Sequence, residues 1–126
     1  MKPRRHVFMF QSRFAPGVLD GSKTSTIRGN RKRKVREGDI LDLRQWSGAP
    51  YRYKQIKLRE EICTHVEEIE LFFNGILYQP FCEVADEEKI ARDDGFSSFA
   101  EMAAWFEKTH GLPFMGNLYK WEGKSA

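Results

Sequence analysis

Gly21-Ser22-Lys23-Thr24-Ser25-Thr26-Ile27-Arg28 places a glycine, two cations and four hydroxyls within eight residues. An apolar segment ending at Val18-Leu19 precedes it, and the basic cluster Arg31-Lys32-Arg33-Lys34 follows. The residues before it, Arg13 to Leu19, predict a short helix. Pro16 is tolerated there because a first helical turn has no partner for the missing N–H. Gly21 closes that helix, since glycine enters the left-handed conformation without a steric penalty. The β-branched content of Thr24 to Arg28 predicts a strand. The stretch is therefore a helix end, a turn and a strand, with cations and hydroxyls at the junction. That combination suits a polyanionic or nucleotide ligand, and equally a hydrolytic site.

Working outward, Val7 to Phe10 is apolar and β-prone and predicts a first strand. Residues 31–36 read as a basic loop, Glu37-Gly38-Asp39 as a turn, and Ile40 to Arg44 as a strand. Ser47-Gly48-Ala49-Pro50 forms another turn. Tyr51 to Phe73 contains no proline or glycine and predicts one long bent strand or two consecutive ones. Asn74-Gly75 is a hairpin signal between Leu71-Phe72-Phe73 and Ile76-Leu77-Tyr78. Asp86 caps a helix to Arg92. Ser97 or Ser98 caps a second, with Glu101 completing a capping box with Ser98. Phe99, Met102, Ala103 and Phe106 recur at helical spacing and predict a buried stripe. Met115 to Trp121 is a last strand. About six strands with two or three helices, without alternating β-α units, predict an α+β domain built on a mostly antiparallel, barrel-like sheet.

The 126 residues fit one domain, spanning 1–126, with a single core. At 40% hydrophobic and 31% charged, the composition is that of a globular chain. The net charge of +3 is too mild to define a partner, but its distribution is uneven. Residues 28–36 carry six Lys/Arg and no acid, while 83–94 are acid-rich. A basic face of this kind steers anions toward itself. Cys63 and Cys82 lack a metal-ligand spacing and are expected to be reduced, in a cytoplasmic protein. His6, His65 and His110 are scattered, so neither metal nor cofactor is expected. No apolar run nears the roughly 18 residues of a membrane span. Val7 to Phe10 is too short for the core of a signal peptide.

Lys23 and Thr26 are the candidate catalytic residues. A neutral lysine can take the proton of a threonine hydroxyl, which then attacks a carbonyl. An unperturbed lysine titrates near roughly 10.4, so this chemistry needs a downward shift, which burial and the neighbouring Arg28 would supply. Alternatively, Lys23 stays charged and holds a phosphate or carboxylate. Arg28 either enters a cleft or pairs with an acid such as Asp39 or Asp94. Arg31, Lys32, Arg33 and Lys34 are either phosphate contacts or a solvated loop. Asp93-Asp94 offers a general acid or a base-reading acceptor, and also suits a plain turn with Gly95. Cys63 with His65 lacks a third group to orient a nucleophile pair. Trp46, Tyr51, Tyr53 and Phe96 are candidate base-stacking rings, against the alternative that most aromatics are core.

Gly21-x-Lys23-x-x-Thr26-x-Arg28 resembles the GxKxxTxR signature of the ASCH domain family, in the PUA-like superfamily. Phe14 to Leu19 resembles the helix before that signature, and Gly38-Asp39-Ile40-Leu41 the family's strand entry. Ala91 to Phe96, followed by Phe99 to Phe106, is similar to its late helix pair. The resemblance spans roughly Phe8 to Trp121. It implies a PUA-like β-barrel with flanking helices, and a cleft, where the signature meets the late helices, that recognises RNA or a modified nucleoside; Gly21, Arg28 and Arg31 to Lys34 are the candidate ligand-binding residues. One small bacterial branch hydrolyses N4-acetylcytidine to cytidine and acetate. On that resemblance Lys23 is the base, Thr26 the nucleophile and Asp94 the acid, where the branch has a glutamate one methylene longer. Gly29 stands where that branch tends to carry an acid. Other behaviours implied by the family are RNA binding without chemistry and slow RNA cleavage.

Overall fold

The computed structural model describes residues 2–49, 52–79 and 83–123. Eight strands and three helices are formed among them. The first sheet contains β1 (Arg5–Phe10), β3 (Ile40–Trp46) and β4 (Gln55–Ile62) in the order β1-β3-β4. The second contains β2 (Ser25–Arg28), β8 (Phe114–Lys120), β5 (His65–Phe72), β6 (Gly75–Tyr78) and β7 (Glu83–Val84) in the order β2-β8-β5-β6-β7. Every pairing is antiparallel except β1 with β3, which runs parallel from Arg5↔Ile40 to Phe10↔Gln45. The helices are α1 (Ala15–Asp20), α2 (Glu87–Asp93) and α3 (Phe99–Thr109). The expected α+β class and mostly antiparallel pairing are observed.

A closed barrel is not. Among the described residues the strands form two separate sheets, with no ladder joining β1 to β2. The reason lies in β1. Ile40 N–H donates to the Arg4 carbonyl, so alternate carbonyls of β1 face β3 and the others face its free edge. At that edge the Val7 carbonyl accepts from Arg31 at 3.1 Å and the Met9 carbonyl from Arg28 at 2.7 Å. Guanidinium groups take acceptors that a closing strand would otherwise use. The seam between the sheets is stapled by side chains and stays open as a cleft.

The stretch from Tyr51 to Phe73 becomes two strands, and its start lies outside the described residues. The chain changes sheet at Cys63-Thr64, where Cys63 N–H bonds the Asp39 carbonyl and Thr64 N–H bonds the Lys120 carbonyl, both at 2.8 Å. The hairpin forms with Gly75 paired to Phe72, so Phe73 and Asn74 make the two-residue loop. Asp86 caps α2 by accepting from Lys89 N–H. Ser98 caps α3 by accepting from Glu101 N–H, but the Glu101 carboxylate bonds Ser97 instead of closing the box on Ser98. The α3 stripe Phe99, Met102, Ala103 and Phe106 is buried as its spacing predicts. It packs into a core that includes Phe8, Leu41, Leu43, Ile69, Leu71, Ile76 and Leu118, each fully buried. Each such side chain contributes about 1.5–3 kcal/mol by leaving water.

Candidate functional site

The backbone around Lys23 is held from three sides. Gly21 ends α1 with φ 84, and Lys23 N–H then returns to the Gly17 carbonyl at 2.9 Å. Thr24 N–H donates to the Asp93 carbonyl at 2.7 Å, while the Thr24 carbonyl accepts from Trp121 N–H at 2.9 Å. These bonds send the Lys23 side chain inward, where it is buried with its ammonium 5.5 Å from the Phe10 ring centre and 5.0 Å from that of Phe14.

Asp94 arrives from the other side. It follows α2, and Gly95 takes φ 98 to turn the chain sharply before Phe96. The Asp94 Oδ1 lies 3.3 Å from Lys23 Nζ and accepts from Ser25 Oγ at 3.4 Å. Lys23 Nζ also donates to the Asp94 main-chain carbonyl. Burial pushes the Lys23 ammonium down against the pull of Asp94. Burial pushes the Asp94 carboxyl up against the pull of Lys23 and Arg28. Both shifts favour the neutral pair, amine with carboxylic acid.

Thr26 and Arg28 sit two residues apart on β2 and share a face. Arg28 Nε donates to Thr26 Oγ1 at 3.0 Å, and its guanidinium lies over Phe8 and Phe10. Burial pulls Arg28 down to about 10, opposed by Asp94 and assisted by the nearby charge of Arg31.

Lys23, Thr26, Arg28 and Asp94 all line one cavity of about 380 Å³ at the seam between the sheets. Its walls carry the rings of Phe10, Phe14, Phe96, Trp105, Phe106 and Phe114, with Gln11 and His110 as further polar groups. Trp105 stands edge-on to Phe14 at 5.6 Å and 5.8 Å from Phe96. Such a lining combines ring surface with a few polar side chains, the make-up of a small-molecule pocket.

The three candidate catalytic residues therefore meet in one cavity, with bonds the sequence did not indicate. Lys23 is tied to Asp94, and Thr26 to Arg28; the described residues contain no Lys23–Thr26 hydrogen bond. Gly21 is not in the cavity wall and serves the turn after α1. Arg31 and Lys34 line an adjacent cavity of about 560 Å³, while Lys32 and Arg33 are exposed. Asp39, one proposed partner of Arg28, is instead held by His6 at 2.9 Å. Of the candidate stacking rings only Phe96 lines the site; Tyr53 is exposed, Trp46 lines a different pocket, and Tyr51 falls outside the described residues. Gln11, Trp105, His110 and Phe114 were not foreseen. Trp105 is next to the helical stripe, and its position toward Phe14 depends on how α3 packs, which no local pattern encodes.

Cys63 is buried, donates to the His65 carbonyl at 3.4 Å and has its thiol pushed up by burial to about 11, so it offers no thiolate nucleophile. Cys82 lies outside the described residues. Among the described residues no three His, Cys, Asp or Glu side chains are grouped to hold a metal, and no helix is long and apolar enough to cross a membrane. No family model, curated protein or solved structure matches this chain.

Proposed function

We propose that the chain is an ASCH-type, PUA-like domain whose seam cavity binds a modified cytidine and hydrolyses its N4-acetyl group. The observation that carries this reading is the convergence of buried Lys23 and Asp94 with Thr26 in one aromatic-walled cavity. Amide hydrolysis through an acyl intermediate needs a base, a nucleophile and an acid within reach of one carbonyl.

With the pair in its neutral form, Lys23 Nζ takes the proton of Thr26 Oγ1. The oxygen bonds to the acetyl carbon, and the C–N4 bond breaks as the Asp94 carboxyl protonates N4. Cytidine leaves, with Lys23 now an ammonium and Asp94 a carboxylate. Water then attacks the Thr26 ester. Asp94 takes a proton from the water, Lys23 returns one to Thr26 Oγ1, and acetic acid is released, which gives its proton to solvent and becomes acetate. The cycle ends in its starting protonation state. Arg28 stabilises negative charge building on Thr26 Oγ1, because it already donates to that atom.

Acetate release from N4-acetylcytidine is the test. Release by wild type and its loss in Lys23→Ala are expected; no release by wild type, or equal release by both, sinks the reading.

A second reading is favoured by the present bonds of Lys23, which go to Asp94 and leave Thr26 to Arg28. The same cavity then holds a modified nucleoside or RNA without cleaving it. Salt-dependent RNA binding by a chain that releases no acetate supports this alternative. RNA shortened by wild type and left intact by Lys23→Ala would instead point to slow strand cleavage.

A further inference from the structure

Among the described residues Lys23 is the only buried lysine. Its stem is packed from both flanks: an added Cβ at Gly95 would stand 3.4 Å from its Cδ, and one at Gly17 3.2 Å from its Cβ. Its Nζ ends 5.0 Å from the centre of the Phe14 ring and 5.5 Å from that of Phe10. All three residues line the cavity of about 380 Å³. The same wall carries Phe96 and Trp105, and the rings of Phe14, Phe96 and Trp105 have centres 5.4 to 5.8 Å apart.

The acid beside this amine is Asp94. Its Oδ1 is 3.3 Å from Nζ, and its main-chain carbonyl accepts from the same nitrogen. Thr26 is engaged by Arg28 instead. Amine and acid therefore form a unit that is complete without a hydroxyl. Burial pushes the amine down, against the pull of Asp94 and with help from Arg28. Burial also pushes the Asp94 carboxyl up, against Lys23 and Arg28. A desolvated amine in an apolar pocket is a nucleophile toward carbonyl carbon. An adjacent carboxylic acid supplies the proton that lets oxygen leave as water. Ring walls favour a ligand that is itself a ring, through offset and edge contacts.

We infer that Lys23 captures aldehydes as an imine, with Asp94 as the acid, and that its ligand class is an aldehyde carried on a flat ring. The Nζ lone pair bonds to the aldehyde carbon while the Asp94 carboxyl protonates the carbonyl oxygen. The nitrogen then passes one proton to the Asp94 carboxylate, which leaves a neutral carbinolamine. Asp94 protonates its hydroxyl, the C–O bond breaks, and water departs. The product is a protonated imine paired with the Asp94 carboxylate. No oxidant or reductant is consumed. Thr26 takes no part, so the capture does not rest on acetyl hydrolysis.

The experiment incubates the full chain at about pH 6 with benzaldehyde and cyanoborohydride, which reduces the imine to a stable benzylamine. Peptide mapping by mass spectrometry then locates each benzyl group. Exposed lysines, which titrate near roughly 10.4, are almost wholly protonated at that pH, so Lys23 should be labelled ahead of them by about tenfold or more. Thr26→Val should keep this label, and Lys23→Arg should lose it while the exposed lysines react as before. The wild type decides the matter even if a variant fails to fold: in concentrated urea, where burial is gone, Lys23 should drop to the rate of the exposed lysines. Propanal, which has no ring, should show a smaller preference for Lys23 over exposed lysines than benzaldehyde does; an equal preference overturns the assignment of a ring-borne aldehyde. Label on the exposed lysines with Lys23 no faster overturns the inference outright, whether or not acetate is released from N4-acetylcytidine. Selective Lys23 labelling without acetate release upholds it and sinks only the hydrolase reading.

Discussion

Lys23 Nζ lies 3.3 Å from Asp94 Oδ1, with both residues buried. Lys23 enters from the turn after α1, and Asp94 from the end of α2, 71 residues later. The pair ties the helical layer to the seam and gives the cavity its titratable centre.

Lys23→Met leaves buried Asp94 without its hydrogen-bonding partner. Removing one partner of a buried pair costs about 3–5 kcal/mol. The loss depends on pH. A buried carboxyl whose folded pKa is raised stabilises fully below its unfolded pKa and less as pH rises through the folded value. Urea unfolding of the variant should therefore show a smaller deficit near pH 4 than near pH 8. An equal deficit at both would mean that Asp94 does not titrate in the cavity.

The proposed reaction predicts a bell-shaped dependence of kcat on pH. Its active form has one proton on the pair: Lys23 a free amine, Asp94 an acid. Adding a proton at low pH removes the base, and taking one away at high pH removes the acid. Asp94→Asn should lose the alkaline limb and lower kcat by about 100-fold or more. Acetate release between pH 5 and 10 measures both effects.

Thr26→Ser keeps the nucleophilic hydroxyl and should retain measurable acetate release. Thr26→Val removes it and should abolish release while cytidine still binds. If Thr26→Val hydrolyses as fast as wild type, water is the direct nucleophile and no acyl-threonine forms.

Gly116 faces the carbonyl of Arg28 so closely that an added Cβ would run into it and into the Phe114 ring. Gly116→Ala must push β2 away from β8, displacing Arg28 and Thr26 together. A loss of about 1–3 kcal/mol in stability is expected, with weaker ligand binding. Thermal unfolding and titration on the same variant check it.

Asp39 accepts from the N–H groups of Arg4 and Arg36 and pairs with His6. Those bonds outweigh the cost of its partial desolvation and hold its carboxyl at about 2. A depressed carboxylate contributes stability above its unfolded pKa and loses it as pH falls through the folded one. Wild type should therefore weaken between about pH 4 and pH 2 more steeply than Asp39→Asn, which is already weaker at pH 7 by about 1–3 kcal/mol. Parallel acid titrations followed by circular dichroism make the comparison.

Local chemistry wrote much of this fold into the chain. Gly21 at a left-handed helix end, Asp86 and Ser98 as caps and the stripe from Phe99 to Phe106 all act within a few residues. The switch of sheets at Cys63-Thr64 was less legible, because its hydrogen-bond partners Asp39 and Lys120 are far along the chain. The barrel expectation failed for a similar reason. Val7 and Met9 present acceptors that any strand presents, and only folding brings Arg28 and Arg31 to them.

By itself the sequence determined the α+β class, the junction carrying Lys23, Thr26 and Arg28, and the helical stripe beside it. Helix and strand periodicity and capping are short-range, so the order of residues suffices for them. Only tertiary structure decided that Lys23 bonds Asp94 rather than Thr26, that Trp105 and Phe114 wall the cavity, and that arginines hold the seam in place of a closing strand. Those outcomes follow from burial and long-range hydrogen bonding, which arise when distant segments exclude water together.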